Sequence, residues 1–535
     1  MMNNYNEEAL EHLGTFEISA KMQQIARKNE HGNTFLNAGR GNPNWIQTTA
    51  RLALARLVQF GVADSQRTLA KPAMAGYIEP AGIYQRLVHF LQPAEHDEDH
   101  FLLTAVKYCH HRLQLQRDAV VAEWVNGVLG NDYPSPDRCL RVTEIILNHY
   151  LQSIGYRGSG LAAATQLFPT EGATAAIVYA FNSLKENHLL NPGDKIAINT
   201  PIFPPYLQIP LLKDYELVEV DVRSYEKNDW EIAPQEIEKL ADPAIKALII
   251  VNPTNPGAQA LNDKDLAAIR RVVAQRPDLM IISDEVYGTF VSDFKSVYQA
   301  APHNTMLVYS FSKLYGCTGW RLGVIGLNNE NVFDRAIAQL PLSLRKQLDR
   351  RYRSVVLHPQ RLKFIDRLCA DSRSIGLYHT AGLSTPQQVM MALFALSHLV
   401  NEIDKGASDP YIDQTRDLIN QRYAQLYTAL GIPQDKSATN THYYALIDIY
   451  RLAGKRYGQE FRHYLADNFE QVDFLVRLAE KNGVVLVDGV GFGTKPGELR
   501  ISLANLPTDD YARIGQQINK LLAEYHQQFA AERAK

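Results

Sequence analysis

One stretch of the chain indicates both the fold and the chemistry, and it has the sequence Tyr309-Ser310-Phe311-Ser312-Lys313-Leu314-Tyr315-Gly316-Cys317-Thr318-Gly319-Trp320-Arg321-Leu322-Gly323. It lies between two apolar runs, residues 305–309 and 324–327, and such runs are typical of buried strands. Lys313 is therefore predicted in a turn between strands, among hydroxyl-bearing and small residues. A lysine in such a turn can be partly desolvated, which lowers the pKa of its amine and allows it to form a Schiff base.

The residues around Lys313 fit a phosphate as well as a Schiff base. The hydroxyls of this stretch and the guanidinium of Arg321 suit a dianionic phosphate. A phosphate site beside a reactive lysine is what pyridoxal 5'-phosphate requires, because its chemistry starts from a lysine Schiff base. Taken alone, however, a Ser-x-Ser-Lys sequence between strands is more often an ordinary polar turn.

A second functional interpretation of the same residues is a penicillin-recognising hydrolase. Residues 310–313 fit the Ser-x-x-Lys motif of those enzymes, which also carry Ser-Asp-Asn and Lys-Thr-Gly motifs. Here Ser283-Asp284 is followed by Glu285, and the chain contains no Lys-Thr-Gly. The rest of the sequence has to decide between the interpretations.

The composition favours a globular protein with room for two or more domains. The chain has 535 residues, of which 46% are hydrophobic and 21% are charged, and its net charge of -3 gives no reason to expect nucleic acid or membranes as partners. Its four cysteines form no Cys-x-x-Cys pair, which favours a reduced, cytoplasmic protein. The polar N-terminus predicts no signal peptide, and no apolar run approaches the roughly 18 residues that a membrane span needs.

The order of the periodic patterns predicts four parts. Residues 1–45 combine an amphipathic helix with a glycine-rich loop, and we expect an N-terminal arm and part of a small domain there. Residues 46–130 carry long helical patterns and little strand signal, which predicts a helical insertion. Residues 131–375 alternate strands with helices and are expected to form the large domain that binds the cofactor. Residues 376–535 mix helices and strands, as in a small C-terminal α+β domain.

The alternation of patterns predicts an α/β fold with a mostly parallel central sheet and helices on both faces. Short apolar runs such as residues 195–198, 247–251 and 279–282 alternate with helical stretches, as a parallel sheet covered on both sides requires. Histidines occur in pairs at positions 96 and 100 and at 110 and 111, but neither pair has a matching cysteine or carboxylate framework at the spacing of a metal site. No metal site is therefore expected.

Polar motifs follow several predicted strands, and the ends of strands are where an open α/β sheet binds its ligand. Small residues after Glu171 expose backbone N–H groups to an anion at the start of a helix. Phe203 could stack on a flat ring, and an asparagine amide in residues 252–255 can donate to a phenolate. A buried Asp284 would pair with a pyridine nitrogen and keep it protonated. Each motif alone is weak evidence for a ligand site, because such turns and strand ends are common, but their joint order along the chain is not common.

With these motifs in this order, the sequence resembles the aspartate aminotransferase family, which is fold type I of the pyridoxal-phosphate enzymes. The resemblance covers roughly residues 130–330 and resumes near 480–505. It implies that Lys313 carries the cofactor and moves the substrate proton. It also implies that Asp284 pairs with the pyridine nitrogen, that Asn255 and Tyr287 contact the ring oxygen, and that Phe203 stacks on the ring. The implied phosphate cradle consists of Gly172, Ala173, Thr174, Ser310 and Arg321.

The resemblance also implies a substrate site and a homo-oligomer. Arg500, in Gly497-Glu498-Leu499-Arg500-Ile501-Ser502, resembles the arginine that binds the substrate α-carboxylate through two parallel hydrogen bonds, and the resemblance implies that Asn255 also contacts the substrate. Tyr133 resembles the tyrosine that reaches the phosphate bound by the neighbouring subunit. A homodimer is therefore the smallest unit expected, and relatives with an added helical segment form larger assemblies.

The chain is longer than a plain aminotransferase, mostly in residues 46–130 and 330–375. In its length, its helical segment and Arg40 of the glycine-rich loop, the chain resembles the aspartate 4-decarboxylases. Those relatives convert L-aspartate to L-alanine and carbon dioxide through aldimine, ketimine and enamine intermediates, with aspartate transamination as a side reaction. A tight grip on the distal carboxylate would oppose its loss, because binding the ground state does not lower the barrier. Arg40 is the candidate that shapes this pocket, and Lys21 is a second candidate.

Two alternatives remain open on the sequence. A plain aminotransferase for aspartate or an aromatic amino acid would share the lysine, the aspartate and the arginine, and its products would differ. A non-enzymatic regulator built on this fold would need an attached DNA-binding module, but residues 46–130 show neither a recognition helix nor a basic stripe. The hydrolase interpretation leaves Asn255, Asp284 and Arg500 unexplained.

Overall fold

In the part of the chain that the structure describes, the strands form one large and two small sheets. The computed structural model describes residues 14–28, 35–132, 138–212, 218–223, 232–373, 382–401, 406, 408–469 and 471–534. Its strands are β1 (Leu36–Asn37), β2 (Thr165–Glu171), β3 (Lys195–Thr200), β4 (Val218–Arg223), β5 (Ile245–Val251), β6 (Met280–Asp284), β7 (Thr305–Ser310), β8 (Leu322–Asn328), β9 (Tyr444–Asp448), β10 (Val484–Val485), β11 (Val487–Asp488) and β12 (Glu498–Ser502).

The large sheet has seven strands in the order β2-β8-β7-β6-β5-β3-β4. β8 runs antiparallel to both of its neighbours, and every other neighbouring pair is parallel. Successive side chains of its inner strands pack into different cores. Ile196 and Ile198 face one hydrophobic cluster, and Ala197 between them faces another. Because both faces are buried, these strands are continuous apolar runs, and the predicted mostly parallel, doubly covered sheet is confirmed.

Helices cover both faces of this sheet and build the rest of the molecule. They are α1 (Thr15–Ala26), α2 (Thr49–Ser65), α3 (Ile83–Phe90), α4 (Asp97–His111), α5 (Arg117–Leu129), α6 (Arg141–Gly155), α7 (Ala173–Glu186), α8 (Pro205–Leu212), α9 (Pro234–Glu238), α10 (Asp263–Gln275), α11 (Val297–Ala300), α12 (Val332–Gln339), α13 (Leu342–Tyr352), α14 (Phe364–Arg373), α15 (Thr385–Leu399), α16 (Pro410–Leu430), α17 (Ile449–Tyr457), α18 (Gln459–Asn468), α19 (Gln471–Asn482) and α20 (Thr508–Arg533). None of these helices is long and apolar enough to cross a membrane.

The segment 46–130 is helical, as its periodicity predicts. Its helices α2 to α5 pack against one another, and α2 and α5 also pack against α15. Fully buried side chains such as Leu57, Leu87, Leu102 and Trp124 join a hydrophobic cluster that continues to the Lys313 turn and to the C-terminal lobe. The division of the chain into four parts stays a prediction.

The C-terminal lobe combines a small antiparallel sheet with long helices. Its strands have the order β11-β12-β9, and α16 packs along α20. The N-terminal segment belongs to the same packing unit, because β1 pairs with β10 and α1 packs against α19. Ile18, Met22 and Ile25 of α1 are buried, whereas Phe16 is 39% exposed. The N-terminal segment therefore reaches the edge of the large sheet from the side of this lobe.

Candidate active site

The carboxyl-terminal edge of the large sheet carries the predicted polar motifs. Val251 of β5 and Asp284 of β6 are paired at this edge, and β7 ends beside them at Ser310. β8 is antiparallel, so it begins at the same edge. A cavity of about 520 Å³ opens here between the sheet and the C-terminal lobe. Its walls include the predicted residues Arg40, Ala173, Thr174, Phe203, Asn255, Asp284, Tyr287, Ser310, Lys313, Arg321 and Arg500.

Lys313 projects into the cavity from the turn that follows β7. Its Nζ donates a hydrogen bond to the carbonyl oxygen of Gly41 at 2.9 Å. Burial lowers the pKa of the Lys313 amine, and the nearby cation of Arg500 acts in the same direction, while Tyr444 opposes it. A lowered pKa increases the neutral fraction of the amine, which is the form that attacks a carbonyl and accepts a proton.

Asp284 is a buried carboxylate on the floor of the cavity. Its Oδ2 accepts a hydrogen bond from the hydroxyl of Tyr206 at 2.8 Å, and its Oδ1 accepts one from the backbone of Val286 at 3.1 Å. Burial raises the pKa of Asp284 to about 6, although these hydrogen bonds and the charge of Lys313 act against the rise. A cationic partner in the cavity would therefore be strongly attracted, because it would relieve the cost of burying this charge.

The start of α7 and the Arg321 side chain form an anion cradle. Gly172 precedes α7 with a φ of 85° and provides no side-chain cap, which leaves backbone N–H groups of the first turn for an anion. A Cβ on Gly172 would lie 2.4 Å from Nη2 of Arg321, so glycine lets the guanidinium approach the helix. Arg321 is held by a 2.8 Å hydrogen bond from Nη1 to the carbonyl of Thr318.

Arg500 reaches the cavity from β12, and its side chain is 2% exposed. Its Nη1 donates to Oδ1 of Asn255 at 3.1 Å, and its Nη2 donates to the carbonyl of Gly39 at 2.8 Å. Its Nε is buried and has no hydrogen-bond partner among the described residues. Since the carbonyl oxygen of Asn255 is occupied by Arg500, the amide N–H groups of Asn255 are available to an acceptor in the cavity. A buried guanidinium with a spare donor is suited to a carboxylate ligand.

The remaining predicted residues take different positions. Arg40 lines the cavity, and its Nη2 donates to Oε1 of Gln23 at 3.3 Å in an exposed position. Lys21 lies on the same helix as Gln23 but is not among the residues that line the cavity. Phe203 lines the cavity, with the ring of Phe16 6.0 Å away in an edge-on arrangement. Tyr133 lies outside the described residues.

Three tyrosines of the site were not identified from the sequence. Tyr206 donates to Asp284, Tyr443 donates to the carbonyl of Gly41 at 2.9 Å, and Tyr444 lies with its hydroxyl 2.8 Å from that of Tyr287. Tyr206 is the second residue of α8, three positions after Phe203, and its motif predicts only the stacking aromatic. Tyr443 directly precedes β9 and Tyr444 is its first residue, and no sequence motif connects either of them with Lys313.

The beginning of the helical segment holds the Lys313 turn in place. The indole of Trp45 donates to the carbonyl of Leu314 at 2.9 Å, and Arg51 donates to the carbonyls of Tyr315 at 3.2 Å and Gly316 at 2.9 Å. A Cβ on Gly316 would lie 1.7 Å from the carbonyl oxygen of Trp45, so no larger residue fits there. The turn is therefore fixed by residues far from it in the chain.

Glu285 is buried beside the site and gives a testable pH dependence. Burial raises the pKa of Glu285 to about 7, against hydrogen bonds from Ser296, Ser283 and the backbone of Val297. Folding therefore takes up a proton between the ordinary pKa of 4.5 and pH 7. The stability that comes from burying Glu285 in its neutral form is fully present below pH 4.5, and it is lost as the pH rises through 7.

We expect Glu285→Gln to remove this pH dependence, because an amide of the same shape keeps an acceptor for Ser283 and Val297. Apoprotein melting temperatures of the two forms should agree at pH 4, and the variant should melt higher at pH 8. The difference between the folded and the ordinary pKa of Glu285 changes the free energy of unfolding by at most about 3 kcal/mol. Melting curves that stay parallel from pH 4 to 8 would contradict the assignment of this titration to Glu285.

Comparison with known proteins identifies the family of the chain. The sequence pattern of the family aminotransferase class I and II matches residues 147–518. The chain belongs to this family. It is 42% identical over 529 residues to a Pseudomonas protein named bifunctional aspartate aminotransferase and L-aspartate beta-decarboxylase, and the match covers 98% of each chain. An aromatic-amino-acid aminotransferase of Thermococcus litoralis is 33% identical over 199 residues, which is 34% of this chain and 49% of that protein.

Solved structures agree with this assignment at the level of the fold. A double mutant of Thermus thermophilus aspartate aminotransferase matches with a TM-score of 0.59 at 18% identity, over 97% of this chain and 100% of that chain. The predicted fold type I architecture is confirmed. The protein is thus a pyridoxal-phosphate-dependent enzyme, as the resemblance of its motifs implies.

The residues of the cavity fit pyridoxal 5'-phosphate. Arg321 and the uncapped start of α7 are suited to the phosphate, and the glycine at 172 keeps that space open. Asp284 is suited to a protonated ring nitrogen, and the amide of Asn255 is suited to the ring oxygen. Lys313 supplies a buried amine in the same cavity. These groups therefore match the charges around the edge of this cofactor.

Proposed function

We propose that this protein catalyses the β-decarboxylation of L-aspartate to L-alanine and carbon dioxide, with aspartate transamination as a side reaction. The observation that carries the proposal is the 42% identity across 98% of both chains with the bifunctional Pseudomonas enzyme. That match spans the helical segment 46–130 as well as the sheet, whereas the Thermococcus aminotransferase aligns with 34% of this chain. The cavity supplies the cations and the amine that the reaction needs.

The roles of the site residues follow from their positions. Arg500 binds the α-carboxylate of aspartate through its spare donors and orients the Cα–H bond. Lys313, whose amine pKa is lowered by burial, accepts the Cα proton and can return it to the substrate. Asp284 holds a proton on the ring nitrogen through charge pairing. When bound, the cofactor supplies an electron sink that stabilises negative charge on the substrate carbons next to the amine.

The distal carboxylate distinguishes decarboxylation from transamination, and Arg40 lies where it can influence this group. Among the described residues, the guanidinium of Arg40 donates one hydrogen bond, to Oε1 of the half-buried Gln23 at 3.3 Å, so it is loosely fixed compared with that of Arg500, which donates to Asn255 and Gly39. A loosely held cation can select a dicarboxylate without fixing the departing carboxylate firmly. We propose that Arg40 selects aspartate over amino acids without a distal carboxylate.

We expect Arg40→Ala to lower kcat/KM for L-aspartate about 10- to 100-fold, because a hydrogen bond to a charged group contributes about 1.5–3 kcal/mol. The half-reaction with L-alanine, measured from the cofactor absorbance in a single turnover, should change little in the same variant. Arg27→Ala is a matched control, since Arg27 lies over the ring of Phe35 at 5.6 Å and does not line the cavity. An equal loss with both amino acids would contradict selection of the distal carboxylate by Arg40.

A product assay tests the proposed function directly. Purified holoenzyme is incubated with L-aspartate and pyridoxal phosphate in the absence of a keto acid, and alanine and carbon dioxide are measured together. We expect many turnovers with equal amounts of the two products. At most one turnover, resumed on addition of 2-oxoglutarate, would instead assign the protein as a plain aminotransferase.

We also propose a cytoplasmic homodimer as the smallest active unit, within a larger homo-oligomer. The resemblance of Tyr133 to a tyrosine that reaches the neighbouring phosphate supports shared sites, and four buried cysteines without disulfide bonds suit a reduced compartment. Light scattering should give a mass of at least twice the 60.3 kDa of the chain. A monomer with full activity would contradict the shared site.

A further inference from the structure

Tyr444 belongs to the cavity but has no role in the site described above. It begins β9, its side chain is 3% exposed, and it lines the cavity beside Lys313 and Arg500. Its hydroxyl lies 2.8 Å from the hydroxyl of Tyr287, and the guanidinium of Arg500 lies 4.5 Å from the centre of its ring. The residue therefore joins a predicted cofactor contact to the predicted substrate arginine.

The close approach of this tyrosine is permitted by the glycine-rich loop. A Cβ on Gly41 would lie 2.3 Å from the hydroxyl oxygen of Tyr444 and 3.3 Å from Nζ of Lys313. Only a residue without a side chain leaves both groups in place. The hydroxyl of Tyr444, the hydroxyl of Tyr287 and the amine of Lys313 thus converge on one end of the cavity.

We propose that Tyr444 is a positioning residue whose hydroxyl donates to Tyr287, so that the proton of Tyr287 is directed to the ring oxygen of the cofactor. Each phenol has one proton, so in the 2.8 Å pair one hydroxyl donates and the other keeps its own proton for another acceptor. A hydrogen bond donated to the hydroxyl of Tyr287 polarises that hydroxyl and strengthens the hydrogen bond that Tyr287 donates to the ring oxygen. This inference rests on the proposed cofactor site and adds a residue that sets its electronic properties.

The surroundings of Tyr287 support its role as a donor. Burial raises the pKa of Tyr287 well above its ordinary value, with Tyr444 and Tyr443 acting in the same direction and Arg500 against it. Its hydroxyl therefore keeps its proton at physiological pH. The charged groups that face it are the amine of Lys313, 6.0 Å from its ring centre, and the guanidinium of Arg500. Neither group accepts a hydrogen bond when it is protonated.

The direction of the bond can be measured without any substrate. A hydrogen bond to the ring oxygen stabilises its phenolate most when the Lys313 Schiff base has lost its proton, so the bond lowers the pKa of the Schiff base. Tyr444→Phe keeps the ring beneath Arg500 and removes only the hydroxyl. We expect it to raise the Schiff-base pKa of the holoenzyme by roughly half a unit, measured from the cofactor absorbance between pH 5 and 10.

Two further variants separate this role from a structural one. In a Tyr287→Phe background, Tyr444→Phe should cause no additional shift, because its effect passes through Tyr287. Tyr150→Phe is the matched control, since Tyr150 and Tyr309 form another buried hydroxyl pair at 2.8 Å outside the cavity, and it should leave the Schiff-base pKa unchanged. A lower or unchanged pKa in Tyr444→Phe, or the same rise without Tyr287, would overturn the proposal. The outcome is independent of which reaction the product assay detects.

Discussion

Lys313→Ala is expected to lower kcat for alanine formation by at least about 10⁴-fold. Lys313 is the predicted attachment point and the proton carrier, and a positioned acid–base group contributes up to about 10⁴-fold alone. Among the described residues that line the cavity, the other cationic groups are the guanidinium groups of Arg40, Arg321 and Arg500, which have donors and no acceptor, so none of them replaces the amine as a proton acceptor. The initial rate of carbon dioxide release under saturating aspartate measures the effect.

A chemical rescue experiment separates loss of the amine from misfolding. A small primary amine added to the Lys313→Ala protein should restore part of the proton transfer, with a rate that increases with the amine concentration. Lys295→Ala is a matched control, because Lys295 is a surface lysine paired with Asp263 at 2.8 Å, and its removal should leave activity unchanged. Residual activity above one per cent without added amine would contradict the role of Lys313.

Asp284→Asn is expected to lower kcat/KM for L-aspartate by roughly 10²- to 10⁴-fold. A neutral amide no longer holds a proton on the ring nitrogen, and loss of one partner from a buried ion pair costs about 3–5 kcal/mol. Steady-state rates with saturating cofactor measure this effect. The apoprotein of the variant should melt no lower than the wild type at pH 8, because burial raises the pKa of Asp284 to about 6 and its charged form is costly without a cation.

Tyr206→Phe provides a graded comparison for Asp284→Asn. It removes the 2.8 Å hydrogen bond to Oδ2 and leaves the carboxylate in place, so we expect a loss of about tenfold or less. If the two variants lost activity equally, the charge of Asp284 would not be the property that matters. If Asp284→Asn retained full activity, the assignment of Asp284 to the ring nitrogen would be wrong.

The parts of the site that could be predicted are those marked by patterns among residues that are close together in the sequence. β5, β6, β7 and β8 are short apolar runs with polar residues directly after or before them, and parallel strands bring their carboxyl ends to one edge. The order of motifs around Asn255, Asp284 and Lys313 therefore predicts a ligand site at the ends of these strands. The helical character of residues 46–130 was equally local, because it depends on a 3.6-residue period.

The parts that could not be predicted depend on contacts between distant residues. Arg500 and Gly39 are 461 positions apart, and Tyr444 and Tyr287 are 157 positions apart, yet each pair shares a hydrogen bond. No spacing in the sequence records such a pair, because its geometry depends on how the C-terminal lobe and α1 pack against the sheet.

The sequence by itself determined the sheet, the Lys313 turn and the motifs at the strand ends, since apolar periodicity and short motifs act over a few residues. The tertiary structure alone decided that Gly41, Tyr443 and Tyr444 surround Lys313, and that Trp45 and Arg51 hold its turn. The physical reason is that hydrogen bonds buried in one cavity are selected by the packing of whole elements, which brings together groups that no local preference connects.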